Sequence, residues 1–267
     1  MRFSCLIITG VVLLCVVLSA GCISEDASRD AALSDAMKMT KLGLDDGAMY
    51  VISAADEIAG GKTGADSSRQ VLANLYQNST LAQTIMYVNE SMIVVSVYPD
   101  IISSSVGTDQ SSYGTNEAYY AGKTIALTEY LHLDDGTNAS VLSAPVYIDG
   151  VWRGYVSMSF DSSRLFGDIE KYLAENYGYH LFVIQTDGVQ VYDYDLSERG
   201  MNIDSLPEYE EETIRVTIDL FKREKSGTSA YFFNKTGADD IVLKTVVWDT
   251  LEFGGQTWRI IVISESE

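Results

Sequence analysis

Apolar and polar residues alternate most regularly between Ser140 and Asp161, in two runs that flank Asp149-Gly150. Asp-Gly between such runs is typical of a β-hairpin with a two-residue turn, so the pattern predicts strands over 141–148 and 151–160. Successive strand residues point to opposite faces. One face of the second strand carries Trp152, Gly154, Val156, Met158 and Phe160, and the other carries Arg153, Tyr155, Ser157, Ser159 and Asp161. The polar face suits a sheet that cups a small polar ligand, and it equally suits an ordinary half-exposed hairpin.

Apolar residues at helical spacing predict a long helix over residues 23–60. The stripe consists of Leu33, Met37, Leu44, Ala48, Val51, Ala55 and Ile58. Gly60-Gly61 is placed to end this helix, and Asp45-Asp46-Gly47 is a weak point at which it could break. The stripe could pack on the chain's own domain or on a second copy of the chain.

The remaining periodicity predicts further helices and several short strands. Strands are expected at 81–88, 92–98, 128–133, 180–185, 189–194, 227–233, 241–249 and 257–264. Helices are expected at 66–77, 117–126 and 162–177, with a loop at 100–114 and a helical or mixed segment at 209–223. Ser162 and Ser163 are N-cap candidates, and Gly178 is placed to end that helix. The order helix, strands, helix, strands indicates a duplicated α+β unit.

The first 22 residues have the pattern of a targeting segment. Arg2 precedes an apolar run, Leu6–Leu18, that is too short to span a bilayer comfortably. The following residues, Leu18-Ser19-Ala20-Gly21-Cys22, resemble the lipobox of prokaryotic lipoproteins, although Leu18 stands one place further from the cysteine than usual. The resemblance implies a signal peptide over 1–21 and lipidation of Cys22, which would anchor the chain to the membrane outside the cytoplasm. An uncleaved N-terminal helical anchor is the alternative.

Charge and composition narrow the possible functions. The chain has 18 Lys and Arg against 38 Asp and Glu, a formal net charge of −20, which argues against binding nucleic acid or lying on an anionic membrane. The 46% hydrophobic fraction is enough for a sizeable core. All three cysteines, Cys5, Cys15 and Cys22, lie in the targeting segment, so we expect no disulfide and no cysteine-based metal site in the folded part.

Motifs for catalysis or cofactor binding are absent from the sequence. It has no Gly-rich phosphate loop, no G-x-S-x-G and no H-E-x-x-H, and its two histidines, His132 and His180, exclude a His-rich metal site. Asp187, Asp193 and Asp195 lie close together but lack the spacing of a calcium loop. We therefore expect no metal, no cofactor and no enzymatic activity, a carboxylate-based hydrolase being the least favoured alternative.

The order of elements resembles that of the double Cache family of extracellular sensor domains. The residues that carry the resemblance are Ala144-Pro145-Val146-Tyr147-Ile148-Asp149-Gly150 with Arg153-Gly154-Tyr155-Val156, Val183-Ile184-Gln185-Thr186-Asp187-Gly188, Tyr192-Asp193-Tyr194-Asp195, Gly200-Met201-Asn202-Ile203 and Gly255-Gln256-Thr257-Trp258-Arg259-Ile260-Ile261-Val262. The resemblance implies an α+β fold with a long N-terminal helix and two tandem PAS-like units, each an antiparallel sheet flanked by helices. The expected divisions are the anchor and helix at 22–65, the membrane-distal unit at 66–161, a connecting helix at 162–178 and the membrane-proximal unit at 179–267.

In that family the distal unit usually holds the ligand. Its amino-acid-binding members carry an aromatic pair, a later tyrosine and an aspartate at the end of the hairpin. The resemblance matches the pair to Tyr119 and Tyr120, the later tyrosine to Tyr130 and the aspartate to Asp161. Glu117 stands where amino-acid-binding members have an arginine, and a glutamate there would repel a carboxylate. We therefore expect a cationic or neutral polar ligand.

The pocket expected from this comparison consists of Tyr119, Tyr120, Tyr130, Tyr147 and Asp161, with Lys123 at its rim. The alternative for the tyrosines is core packing with a satisfied hydroxyl, and the alternative for Asp161 is a helix N-cap.

These observations predict a lipid-anchored extracytoplasmic module that presents or senses a small polar or cationic ligand for a membrane partner. No second apolar span follows the last predicted strand, so we expect signalling to require a membrane receptor, and a homodimer through the N-terminal helix is a further expected partner. The alternative is a surface structural or adhesion protein that keeps the fold without a ligand.

Overall fold

One continuous helix runs along both halves of the molecule. Helix α1 (Glu25–Ala59) has 35 residues, and the Ser24 hydroxyl caps it by accepting a hydrogen bond from the amide of Ala27. The helix continues through Asp45-Asp46-Gly47, the weak point at which it could have broken. A Cβ at Gly47 would lie only 3.1 Å from Leu142 Cδ2, so the glycine lets the helix lie close against the first sheet.

The computed structural model describes residues 24–111, 123–133, 136–195, 198–234 and 241–266. The other helices are α2 (Ala65–Asn78), α3 (Ser162–Tyr177) and α4 (Glu212–Arg223). The strands are β1 (Thr84–Asn89), β2 (Val94–Tyr98), β3 (Ala126–Leu127), β4 (Leu131–His132), β5 (Asn138–Ile148), β6 (Val151–Phe160), β7 (His180–Gln185), β8 (Gln190–Asp193), β9 (Gly227–Asn234), β10 (Ile241–Phe253) and β11 (Gln256–Ser266). Short 3-10 turns lie at Asp100–Ser105, Ile203–Ser205 and Pro207–Tyr209.

The two sheets share one strand order, which confirms the predicted tandem α+β units. The first sheet has the order β2-β1-β6-β5-β3, with β4 paired to β5, and the second has the order β8-β7-β11-β10-β9. When β4 is left out and the remaining strands are numbered within each unit, both orders read 2-1-5-4-3. All strand pairs are antiparallel.

The hairpin of β5 and β6 forms as predicted, with one difference. Asp149 and Gly150 both have positive φ, 52° and 74°, as the two-residue turn requires. A bulge then shifts the register, because Pro145 pairs with Tyr155 whereas Tyr147 pairs with Trp152.

This shift moves Trp152 out of the face predicted for it. Trp152 packs in a cluster with Val88 and Tyr155, while Val156 and Met158 lie in the core that contains α1 residues. Placing Trp152 with Val156 was therefore wrong, since strict alternation does not hold across a bulge.

The core has two main parts, one on each side of the second sheet. The larger part joins α1 and α3 to both sheets, and Leu181, Val183 and Val262 belong to it. The smaller part lies between the second sheet and α4. Its members include Phe182, Ile184, Ile218, Phe221, Trp248 and Ile261. Strands β7, β10 and β11 therefore contribute side chains to both parts by alternation.

Local departures from the predicted elements have identifiable causes. Asp161, rather than Ser162 or Ser163, caps α3, because its carboxylate accepts the amide of Ser163 at 2.6 Å. The predicted loop at 100–114 contains a 3-10 turn. Most of the predicted helix at 117–126 lies outside the described residues, and its last residue is in β3.

Candidate functional site

The second sheet and α4 enclose a cavity of about 320 Å³. Strands β7, β9 and β11 each turn two alternate side chains towards it, β10 contributes Lys244, and the segment from the end of β8 closes one side. Its walls are apolar on the α4 side, with Ile214 and Ile218, and polar towards the end of β11, with Glu265. A cavity of this size with a few convergent polar groups is the usual form of a small-molecule site.

Lys244 enters this cavity because of the alternation along β10. Val246 and Trp248 are in phase with it and pack in the core beneath α4. Lys244 lies on the same face of β10 as these two residues, and it is only 5% exposed. The strand thus carries a cation to the polar end of this layer, next to Glu265.

The ammonium of Lys244 is held by several groups. Nζ donates to the Tyr194 hydroxyl at 3.0 Å and lies 3.5 Å from Glu265 Oε1. It also lies 4.1 Å from the centroid of the Phe233 ring, in cation–π geometry. The Tyr194 hydroxyl in turn donates to Glu265 Oε1 at 3.1 Å.

Asp193 places a buried carboxylate in the cavity wall. It is 5% exposed, and its Oδ1 accepts the amide of Asp195 at 2.7 Å. Burial raises the pKa of Asp193 to about 7, and the charge of Glu198 adds to the increase. Within the described ranges no basic side chain forms a salt bridge with it.

Tyrosine side chains lie around Asp193 and Glu198 in the cavity wall. The Tyr209 hydroxyl donates to Glu198 Oε2 at 2.7 Å, and Tyr231 lines the cavity from β9. Burial raises the pKa of Tyr194, Tyr209 and Tyr231 above the ordinary tyrosine value. All three therefore remain protonated at neutral pH.

His180 lies at the cavity edge beside Tyr194. Its ring stacks on the Tyr194 ring with centroids 4.4 Å apart, and its Nδ1 lies 2.8 Å from Glu170 Oε1. The hydrogen bond to Glu170 raises the pKa of His180. Glu170 on α3 also accepts the amide of Leu181, so it fixes the start of β7.

Four of the residues predicted from the family comparison, Lys123, Tyr130, Tyr147 and Asp161, are among the described residues, and none of these four lines the cavity. Tyr119, Tyr120 and Glu117 lie outside the described residues, as does Cys22. Tyr130 is 7% exposed, and its hydroxyl lies 3.1 Å from Ser162 Oγ.

Tyr130 and Asp161 lie at one end of the β5–β6 hairpin. Burial raises the pKa of the Tyr130 hydroxyl, and the nearby Asp161 charge contributes to the increase. Asp161 caps α3, while the Tyr130 amide donates to Gln185 in the second unit. Both residues therefore have structural contacts where the two units meet.

Lys123 and Tyr147 lie at the other end of that hairpin. The Tyr147 hydroxyl donates to the Lys123 carbonyl at 3.2 Å, and Tyr147 pairs with Trp152 next to the turn. The strand from Trp152 to Asp161 spans about 30 Å at roughly 3.3 Å per residue. Tyr130 therefore lies near Asp161, and Lys123 lies near Tyr147. The two pairs are at opposite ends of the hairpin, so the four residues do not share one small pocket.

The cavity residues had a sequence signal that the family comparison did not use. Lys244 is a lysine in phase with Val242, Val246 and Trp248 in a run that otherwise reads as buried strand. Asp193 and Asp195 are part of the family resemblance and of an incomplete calcium loop in the sequence analysis, which predicts no ligand contact for either residue. In the part of the chain that the structure describes, no group of three acidic, histidine or cysteine side chains is arranged to hold a metal ion.

The fold is that of the double Cache sensor domains, as the sequence resemblance implied. An extracellular ligand binding receptor from Desulfohalobium retbaense superposes with a TM-score of 0.70 at 21% identity, over 88% of this chain and 40% of that one. The ligand-binding domain of the Pseudomonas fluorescens chemoreceptor CtaA, in complex with L-serine, gives 0.65 at 13% identity, over 88% and 95%. That of the Pseudomonas aeruginosa amino acid chemoreceptor PctB, in complex with L-Gln, gives 0.62 at 12% identity, over 88% of each chain.

The similarity lies in structure rather than in sequence. No protein-family model and no curated protein matches the chain. The chain spans 40% of the length of the Desulfohalobium receptor. Among the helices of the described ranges, none is long and apolar enough to cross a membrane.

Proposed function

We propose that this protein is an extracytoplasmic small-molecule-binding sensor module of the Cache type, lipid-anchored at Cys22 and acting for a membrane partner. The observation that carries the proposal is the 320 Å³ cavity in the second unit, which combines an apolar wall with buried charged groups. Cores that only stabilise a fold are packed without such space. Binding rather than catalysis is favoured because the similar structures are ligand-binding sensor domains.

The course of α1 supports an anchor at its N-terminal end. Ser24, two positions after Cys22, caps the helix, and the Arg29 guanidinium donates to Ser264 Oγ on β11 at 3.4 Å. The helix then reaches the first sheet at Gly47. With a lipid on Cys22, the second unit and its cavity would be the part nearer the membrane.

The membrane partner would be a receptor, because a lipid anchor alone carries no signal across a bilayer. Helix α1 also offers a surface for a second copy of the chain. Leu42, Met49 and Ile52 are exposed apolar side chains on this helix, at 52%, 66% and 39%. Such exposed apolar residues are consistent with a helix-mediated homodimer.

A surface structural or adhesion protein without a ligand is the competing function. The structural contacts of Tyr130 and Asp161 are what that function predicts for the first unit. The cavity of the second unit favours the sensor. The two functions differ in whether any small molecule binds.

The test is a metabolite screen by thermal shift on the full chain in detergent, together with mass spectrometry of co-purified small molecules. A ligand should raise the melting temperature, and Ile214→Trp, which fills the cavity, should abolish the increase. Val216→Trp is the control, because Val216 is 57% exposed on the same helix. A screen without any stabilising molecule would favour the structural protein. Separately, Cys22→Ser should release the protein from the membrane fraction.

A further inference from the structure

We propose that the second-unit cavity binds a small organic cation, a primary ammonium on an apolar body, with the Asp193 carboxylate as its charge partner. This inference rests on the proposed function in that the cavity takes a ligand. It goes further by assigning the site to the second unit and the ligand to one charge class.

The balance of charge in the cavity favours a cation. Among the residues that the structure describes, four acidic ones line it, Asp193, Asp195, Glu198 and Glu265, against Lys244 and His180. Lys244 pairs with Glu265, and His180 pairs with Glu170, which is not a lining residue. The cavity therefore carries an excess of carboxylates, which would repel an anion and disfavour the carboxylate of a zwitterion.

Asp193 is the carboxylate best placed to receive an ammonium. It is buried, and the hydrogen bond to its side chain comes from the amide of Asp195. A buried carboxylate is costly unless a cation pairs with it. An ammonium group in the cavity would supply that charge and replace the hydration that Asp193 has lost.

The aromatic wall suits the rest of such a ligand. Tyr209, Tyr231 and Phe233 line the cavity together with the apolar residues of α4. The ring of Phe233 already holds the Lys244 ammonium at 4.1 Å from its centroid, which shows that a ring of this wall accepts a cation on its face. The volume of about 320 Å³ lies at the small end of ligand sites, so a short amine fits better than a long one.

Matched probes separate the charge classes in one experiment. Isothermal titration of the full chain in detergent at pH 8 would use 3-methylbutylamine and 2-phenylethylamine as cations. L-Leucine serves as the zwitterion, 4-methylpentanoate as the anion and 3-methylbutan-1-ol as the neutral control. We expect both amines to bind at least tenfold more tightly than the other three probes, a comparison that needs no substituted protein.

A pair of isosteric variants then locates the site. Asp193→Asn should weaken amine binding at least tenfold, whereas Asp219→Asn, on the exposed face of α4, should leave it unchanged. Equal amine affinity in Asp193→Asn would overturn the assignment of Asp193. Preference for leucine or 4-methylpentanoate, or no binding of either amine, would overturn the cation class. A ligand found by the metabolite screen would still uphold the proposed function in those cases, so the two failures are distinguishable.

Discussion

Lys244 and Glu265 stand directly opposite each other on β10 and β11, with Nζ 3.5 Å from Oε1 at the polar end of the cavity. Their side chains are 7% and 18% exposed, and the Tyr194 hydroxyl contacts both. Removing one member of such a pair destabilises the protein, because the remaining charge stays poorly solvated without its partner. The pairing register of β10 and β11 therefore determines which two charged side chains meet at the polar end of the cavity.

We expect Lys244→Met to lower the free energy of unfolding by about 2 kcal/mol, because it leaves the partly buried Glu265 carboxylate beside Tyr194 without its cation. The double variant Lys244→Met with Glu265→Gln should lose clearly less than the sum of the two single variants. Urea unfolding of the four proteins measures this coupling. Additive losses would show that the pair contributes no interaction energy.

The buried carboxylate of Asp193 predicts a pH dependence of stability. The folded protein holds this proton up to a pKa of about 7, whereas the group has an ordinary value of 3.8. The folded state thus binds more protons between those values, so this group lowers the free energy of unfolding as pH rises. The slope for one proton is at most about 1.4 kcal/mol per pH unit.

Asp193→Asn should remove that slope, because asparagine resembles the protonated acid. Its stability relative to the unsubstituted protein should rise from pH 4 to pH 7 and stay level above. Other charged or titratable groups around Asp193 are common to both proteins and cancel in the difference. They are His180, Tyr194, Asp195, Glu198, Arg199, Tyr209, Tyr231, Lys244 and Glu265. Parallel stability curves for the two proteins would contradict the raised pKa.

Gly154 should tolerate no side chain. Its φ is +118°, and a Cβ there would lie 2.0 Å from the Val88 carbonyl oxygen on β1. We expect Gly154→Ala to cost about 3 kcal/mol or more in denaturant unfolding. Gly150→Ala is the control, since a Cβ there meets nothing within 4 Å. Only its left-handed φ of 74° is unfavourable for alanine, so this variant should lose about 1 kcal/mol. Similar losses in the two variants would contradict the close contact.

Asp161 should contribute to stability as the N-cap of α3. Asp161→Ala removes the acceptor for the amide of Ser163 and should cost about 1 kcal/mol. Asp161→Ser keeps a capping oxygen and should recover most of the loss. If serine does not restore the stability, Asp161 acts through something other than the cap. Thermal unfolding of the three proteins decides between these outcomes.

The regular elements were predictable because periodicity and turn chemistry agree there. The alternation on both sides of Asp149-Gly150 predicted β5 and β6, and the helical stripe predicted α1. The bulge at Arg153-Gly154 on β6 was not predictable, since it depends on the close approach of β1 to Gly154. Gly47 was misleading, because a glycine that breaks a helix and a glycine that permits close packing look alike in sequence.

The cavity was less accessible to sequence reasoning than the fold. Asp193 and Lys244 are 51 positions apart, and only the order of strands β8, β7, β11 and β10 brings them to one face. The family comparison drew the prediction towards the first unit. Lys244 within an apolar strand was the available clue, because a lone lysine at a buried position requires a partner.

The shared strand order has a further consequence for the architecture. In each sheet the first and last strands of the unit are neighbours: β1 lies beside β6, and β7 lies beside β11. The chain therefore enters and leaves each unit through adjacent strands, and the single helix α3 is enough to connect the two. The threading of the chain through one unit is therefore independent of its threading through the other, even though the two share the core beneath α1.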